Sequence, residues 1–344
     1  MKFISIYDCD CVEWSDEATP KKLKRPNIFS SENVSKKLLR NIEDKVVVLP
    51  KSGTAVLDKA TICKTQIKFR YFNENVILLE TLESEKEQIN SFKPPSIILK
   101  NAVFVDKRSS SNYGHFLLEI LPRIFLFKQE NPQLFPSVPV ILRKGASSLV
   151  NKIFPAYGMS DLNVLYLVKE TTVFVEKLYY PVRNTFHPDR HSFKAIEAVR
   201  SVINKVAPST KAKRKIFLSR NDASNRKLLN HQEVYNLLKG YGFEFIEPGK
   251  LSFEEQVEVF SSASVVVGAH GAALTNIVFM PLKSKVVMLA PPAAGGFFFR
   301  SLCSHLEHDF SVVFGCCVSS SNHDSDYQIN IYDLASALSS IDMS

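Results

Sequence analysis

What this sequence lacks narrows it before any motif is read. No stretch approaches the roughly 18 consecutive apolar residues that a membrane-spanning helix needs, so an integral membrane protein is not expected. The opening residues, MKFISIYDCDC, hold a short apolar stretch and then two aspartates, without the apolar core and small-residue cleavage site of a secretory signal. Export is therefore not expected. Cysteine is sparse, and none of Cys9, Cys11, Cys63, Cys303, Cys316 and Cys317 stands in a paired CxxC set spaced for zinc. Reduced thiols and a cytoplasmic location follow as the plain expectation. Neither GxGxxG nor the GxxxxGKS/T loop occurs, which counts against a dinucleotide oxidoreductase and a P-loop ATPase.

What is present has the proportions of a globular protein: 344 residues, 45% hydrophobic and 23% charged. That length exceeds what one core usually organises, so two domains of roughly 150 residues are expected. A formal charge of +8 calls for something anionic: nucleotide phosphates, an acidic polymer, an acidic membrane surface or nucleic acid. The basic runs Lys21-Lys22-Leu23-Lys24-Arg25 and Lys36-Lys37-Leu38-Leu39-Arg40 read first as solvated faces, with peripheral contact to the inner face of a membrane left open. No base-stacking aromatics interleave them, so nucleic acid is not expected as a partner.

From Pro208 onward strands and helices alternate. Ala207 to Arg214 reads as a linker, because a proline is followed by small, polar and basic residues. Strands are expected at Lys215–Ser219, Phe243–Glu247, Val265–Gly268, Lys285–Leu289 and Phe310–Phe314. Between them fall helices opened by Asn230 with Glu233 and by Ser252 with Glu255, then helices over Ala272–Met280 and Phe298–His305. Such alternation specifies a parallel sheet covered on both faces. Earlier in the chain, strand-like runs lie at 46–49, 66–72, 75–80, 97–105 and 138–142, with helices near 112–130, 146–156 and 191–206. The division expected is 1–207, an N-terminal α/β domain; 208–318, a Rossmann-like domain; and 319–344, a tail whose last helix, near Ile329 to Leu338, packs back on the N-terminal domain.

Three constellations carry chemistry. In Val265-Val266-Val267-Gly268-Ala269-His270-Gly271-Ala272-Ala273-Leu274-Thr275-Asn276 a buried strand runs through small residues into a helix, so backbone N–H groups and a positive helix end converge where an anion can approach. His270 suits a phosphate oxygen, and Thr275 and Asn276 suit either the first helical turn or the ligand. The same shape also fits a ligand-free Rossmann turn. Second, Arg220 and Arg226 follow the first strand of that domain, and their forked donors suit a diphosphate. Third, Asn112-Tyr113-Gly114-His115 leads a helix on which His115, Glu119 and Arg123 share one stripe within an apolar surround. Either that stripe is a structural network with Glu119 paired to Arg123, or it supplies acid/base groups to a cleft. Asp8 and Asp10 read as loop residues rather than a divalent-metal site.

Together these motifs resemble glycosyltransferase family sixty-one, which includes plant β-1,2-xylosyltransferases, the EGF-domain O-GlcNAc transferase and bacterial capsular polysaccharide transferases. Asn112 to His115 with Glu119 to Arg123, Ser219-Arg220 through Arg226, Asn230, Leu251-Ser252 with Glu255-Gln256, and Gly268 to Asn276 carry the resemblance. It implies a GT-B fold of two Rossmann-like domains facing a central cleft, an inverting mechanism and a nucleotide-sugar donor, often a UDP-sugar, held by the C-terminal domain. One departure stands out: Met288 occupies the place where the family usually has a glutamate, and a thioether cannot accept a hydroxyl's hydrogen bond as a carboxylate does.

On that basis the leaving diphosphate is expected on Gly271, Ala272, Ala273, Thr275 and Asn276 with His270, Arg220 and Arg226. The base is expected to be His115, or alternatively Glu119, supported by Asn112 and Arg123, with His187 in reserve. The acceptor, a glycan or polysaccharide, then belongs to the N-terminal domain. No cofactor or divalent metal is required, because basic side chains and a helix end can balance the diphosphate. A sugar-nucleotide epimerase or phosphorylase on the same fold, and a nucleotide-sugar or polysaccharide binding protein without turnover, are the rival readings.

Overall fold

The computed structural model describes residues 97–105, 110–168, 173–179, 190–207, 214–218, 225–292, 297–317 and 325–339, with residues 12–14, 20–22, 46–48, 55–57, 61–62, 181, 185–186 and 294. The expected strands at 66–72 and 75–80, and Asp8, Asp10, His187 and Arg220, lie outside the described residues. Two compact units divide the chain: Met1–Cys11 with Leu23–His187, and Val12–Lys22 with Pro188–Ser344.

The first unit holds a seven-stranded sheet built from β1 (Val46–Val48), β2 (Ala55–Leu57), β3 (Thr61–Ile62), β4 (Ile97–Phe104), β5 (Val140–Arg143), β6 (Val164–Leu167) and β7 (Val173–Tyr179), in the order β3-β2-β1-β7-β4-β5-β6. The β7-β4-β5-β6 half is parallel, whereas β1 to β3 join it antiparallel. This sheet is therefore mixed, not the wholly parallel one of a Rossmann unit. The continuous apolar run of β5 is buried, as a strand covered on both faces should be. A helical stretch begins at Tyr113–His115, passes through a π-helical segment, Phe116–Ile120, and continues as α1, Leu121–Glu130; α2, Ser147–Ile153, follows β5. Phe116, Leu117, Leu118, Ile120, Leu121, Ile124 and Phe127 are all fully buried, because a helix apolar on every side has no face to offer water.

In the second unit β8 (Arg214–Leu218), β9 (Glu244–Ile246), β10 (Ala263–Ala269), β11 (Lys285–Ala290) and β12 (Asp309–Phe314) form a sheet in the order β9-β8-β10-β11-β12, parallel throughout. The α/β class read from the sequence holds in both units. Connections run through α4 (His231–Gly240), α5 (Phe253–Ser261), a 3-10 helix at Ala272–Phe279, and α6 (Phe297–His305). Ser252 and Glu255 close the expected capping box, each side chain bonding the other's backbone N–H. Gly268 gives Leu274 room to pack on β10, since a Cβ there would stand 2.8 Å from Leu274 Cδ1 and push that side chain aside.

Three expectations are corrected. The boundary precedes Pro188, not Pro208, because α3 (Phe193–Arg200) belongs to the second unit: Arg200 donates to the carbonyls of Val278 and Met280 at the end of the 3-10 helix. The last helix, α7 (Ile331–Ser339), does not return to the first unit. Its Leu334 and Leu338 are fully buried among Val234, Leu238, Val265, Val267, Val287 and Leu289, a burial that stabilises by about 1.5–3 kcal/mol per leucine. Asn230 does not cap α4 with its side chain, which instead bonds both backbone groups of Ile329. The helix expected over Ala272–Met280 is present, as a 3-10 helix over Ala272–Phe279.

Candidate functional site

In the first unit the geometry begins with Asn112. Its side-chain oxygen accepts from the N–H groups of Gly114 and His115, at 3.0 and 3.3 Å, which starts the helix at a fixed angle. One turn on, Glu119 accepts a short hydrogen bond from Nδ1 of His115. An ionised carboxylate can only accept, so Nδ1 carries a proton, and in a neutral ring the lone pair then sits on Nε2. The Glu119 side chain is 6% exposed and that of His115 20%, so the carboxylate is enclosed while the imidazole stays reachable. The π-helical segment, whose closing bond runs from Leu121 N–H to Phe116 C=O, inserts a wide turn between Glu119 and Arg123. Arg123, 1% exposed, directs Nε and Nη2 to the carbonyl of Pro181 at 2.9 and 2.6 Å. It ties the helix to the chain just beyond β7.

In the second unit the strand order itself marks a site. From β8 the chain turns outward to β9, and from β10 it turns the other way to β11, so the connections diverge at the carboxyl ends of β8 and β10. Crevices of this kind are where open α/β sheets bind ligands. Register pairs Leu218 with Gly268, which brings the two strand ends side by side. His270 follows β10 directly, and Arg226 lies on the segment after β8, with Nη1 donating to Nδ1 of His270 at 3.2 Å. A guanidinium only donates, so Nδ1 here must accept and Nε2 of the neutral ring holds the proton. His270 is 9% exposed and its ring meets Phe299 edge-on at 5.5 Å, which fixes its plane. Arg226 has φ 56°, a left-handed backbone that costs a residue with a Cβ about 1–2 kcal/mol and gathers at functional sites.

The remaining residues of the cradle separate by depth. Gly271 is the N-cap of the 3-10 helix, and Ala272 and Ala273 are half-buried, presenting the positive helix end. Thr275 and Asn276 are fully buried. Asn276 donates to Gln256 Oε1 at 3.0 Å, and Gln256 donates in turn to the carbonyls of Pro248 and Leu251, so this pair clamps α5 to the turn beneath the cradle. Met288 is wholly buried in β11, in register with Gly268. Sequence reasoning missed Gln256 as Asn276's partner, Phe299 behind His270, and the tail residues Asp326 and Tyr327, none of which carries a local signal. Cys303 is buried, and burial pushes its thiol well above the usual range, so it is no nucleophile. No helix among the described residues is long and apolar enough to cross a membrane.

Set beside known proteins, the chain matches the family model for Glycosyltransferase 61 over residues 113–287, just over half its length. The chain belongs to the glycosyltransferase 61 family. No curated protein matches it. Among solved structures it is similar to the dodecameric iron-containing heptosyltransferase TibC in complex with ADP-D-beta-D-heptose: 14% identity and TM-score 0.31, covering 60% of this chain and 61% of that one. It is also similar to E. coli heptosyltransferase WaaC with ADP-2-deoxy-2-fluoro heptose, at 12% identity and TM-score 0.30, covering 60% of this chain and 96% of that one. For WaaC with ADP the values are 11% and 0.31, with 70% and 97% covered. This chain thus spans less than two thirds of the TibC chain.

Proposed function

We propose that this protein transfers a sugar, with inversion, from a nucleotide diphosphate donor, a UDP-sugar, to a hydroxyl of a glycan or polysaccharide acceptor. The observation that carries the reading is the opposite setting of two imidazoles. Glu119 holds a proton on His115 Nδ1, so that the neutral ring offers a general base's lone pair at Nε2, whereas Arg226 leaves His270 a proton at Nε2, the state of a donor to an anion. In the transfer, the acceptor oxygen gives its proton to His115 Nε2 and bonds the anomeric carbon. The bond from that carbon to the diphosphate oxygen breaks on the opposite face, and its electron pair stays with the diphosphate.

That developing charge is met by Arg226, by His270 and by the backbone N–H groups from Gly271 to Ala273, with Arg220 proposed as a further donor. Thr275 and Asn276 shape the turn from below. These groups balance the diphosphate without a divalent metal. Asn112 and Glu119 set the tautomer and direction of His115, and His187 is the reserve base. The basic character of the chain suits peripheral contact with an acidic membrane surface, and the absence of a CxxC set or paired framework suits reduced thiols at a cytoplasmic location. A panel of nucleotide sugars, assayed for acceptor-dependent nucleotide release and for product mass, tests the reading. A product heavier than the acceptor by one sugar, of inverted anomeric configuration, is the expected result; release of nucleotide from every donor with no glycosylated product overturns it.

A further inference from the structure

The Arg226–His270 pair is not held by its own loops alone. Residues 326–329, far along the chain, cross behind both members. Asp326 accepts the N–H of Lys227 at 2.7 Å through Oδ1. Tyr327 forms a parallel bridge with Leu228, its N–H donating to Lys227 C=O at 3.0 Å and its C=O accepting from Leu229 N–H at 2.8 Å. The peptide groups immediately following Arg226 are thereby locked from one side. The phenol of the same residue reaches the other member: Tyr327 Oη donates to Leu289 C=O at 2.9 Å, and that carbonyl also accepts the backbone N–H of His270 at 2.8 Å. Tyr327 is completely buried, although most of its neighbours in the core are aliphatic and offer its hydroxyl nothing. Gly315 makes the crossing feasible, since a Cβ there would stand 2.4 Å from Gln328 O and 2.7 Å from the Tyr327 ring.

We propose that the segment Asp326 to Ile329 is a strap, and that Tyr327 is the positioning residue that sets Arg226 against His270. Resting on the nucleotide-binding reading above, it assigns the tail a part in that site. A left-handed Arg226 is unfavourable by itself, and the hydrogen bonds of the next residues to the strap hold it there. Released, the guanidinium no longer stands at Nδ1 of His270, and the ring is free to carry its proton on either nitrogen.

Tyr327→Phe removes only the hydroxyl, and Asp326→Ala removes a half-buried carboxylate. The readouts are the ring-nitrogen NMR signals of His270, assigned by their loss in His270→Gln, and the affinity for UDP. Leu334→Ala, in the same core and outside the strap's hydrogen bonds, is the control for plain loss of stability. Both strap variants are expected to move the His270 signals from the Nε2–H tautomer toward an average and to weaken UDP about threefold to tenfold, the effect of losing one supporting hydrogen bond. The control is expected to lower the melting temperature and change neither. Unchanged ring signals in both strap variants overturn the proposal. If UDP does not bind the unaltered protein, the nucleotide reading fails, and the ring signals alone decide whether the strap positions the pair.

Discussion

The two histidine pairs solve one problem over very different stretches of chain. His115 and Glu119 are four residues apart, and Asn112, which starts their helix, is nearer still. Arg226 and His270 are 44 residues apart, and the strap behind them bonds Lys227 from 99 residues away. A local pair is specified by helical spacing and a cap. A distant pair is specified by strand order, by one strained backbone and by buried struts, and each of those is a separate way to lose it. The first arrangement should fail through chemistry when altered, and the second through geometry and affinity.

The sharpest break between the two is expected at His115. Its replacement by alanine should lower turnover by about two to four powers of ten, as loss of a general base does, with UDP affinity unchanged. Glu119→Gln should cost less, because it disturbs the tautomer without removing the base. Steady-state turnover beside calorimetric UDP binding checks both; a Glu119→Gln loss exceeding that of His115→Ala would make the carboxylate the base.

The second unit should also prove the more acid-sensitive. His308, bonded at Nε2 to Ile277 C=O near the end of the cradle's helix, has its imidazole pushed down from 6.5 to about 4, by burial first and by the Arg200 charge, against the upward pull of that carbonyl. Between those values the unfolded chain holds the extra proton, so stability falls as the pH drops from about 6.5 to about 4 and levels off below. A shift of that size corresponds to about 3 kcal/mol. Urea unfolding across that range is the measurement, with His308→Gln expected to flatten the slope.

Arg226→Ala should weaken UDP by about 1.5–3 kcal/mol, the range for a hydrogen bond to a charged group. Arg226→Gly should lose the same affinity yet be more stable than the alanine variant by about 1 kcal/mol, because glycine accepts the left-handed backbone. Equal melting temperatures for the two would remove strain from the account. Smallest at the site should be Asn276→Ala: it leaves Gln256 Oε1 without this donor and costs about 1–2 kcal/mol of stability, with little change in UDP binding.

The same contrast explains what could be read in the sequence. All five strands of the second unit were legible: the central β8, β10 and β11 as buried apolar runs, and the half-exposed edge strands β9 and β12 through the turn and cap signals around them. The capping box of Ser252 and Glu255 and the placing of His115 beside Glu119 were legible for the same reason, since both act within one helical turn. Asn230 misled: its spacing to Glu233 matches a cap, but Ile329 competes for its side chain from far along the chain. The final helix misled as well, because an amphipathic stripe shows that a face is buried without saying against which core. The π-helical turn before α1 and the left-handed Arg226 answer to tertiary packing, which leaves no periodic trace.

The division of labour between the two pairs is tested most directly by measuring turnover and UDP affinity together in His115→Ala and Arg226→Ala, after circular dichroism shows each folded. Crossed effects are expected: His115→Ala abolishes most turnover and binds UDP normally, while Arg226→Ala loses UDP affinity by about ten- to a hundredfold. Near-normal turnover in His115→Ala, or unchanged UDP binding in Arg226→Ala, would contradict it.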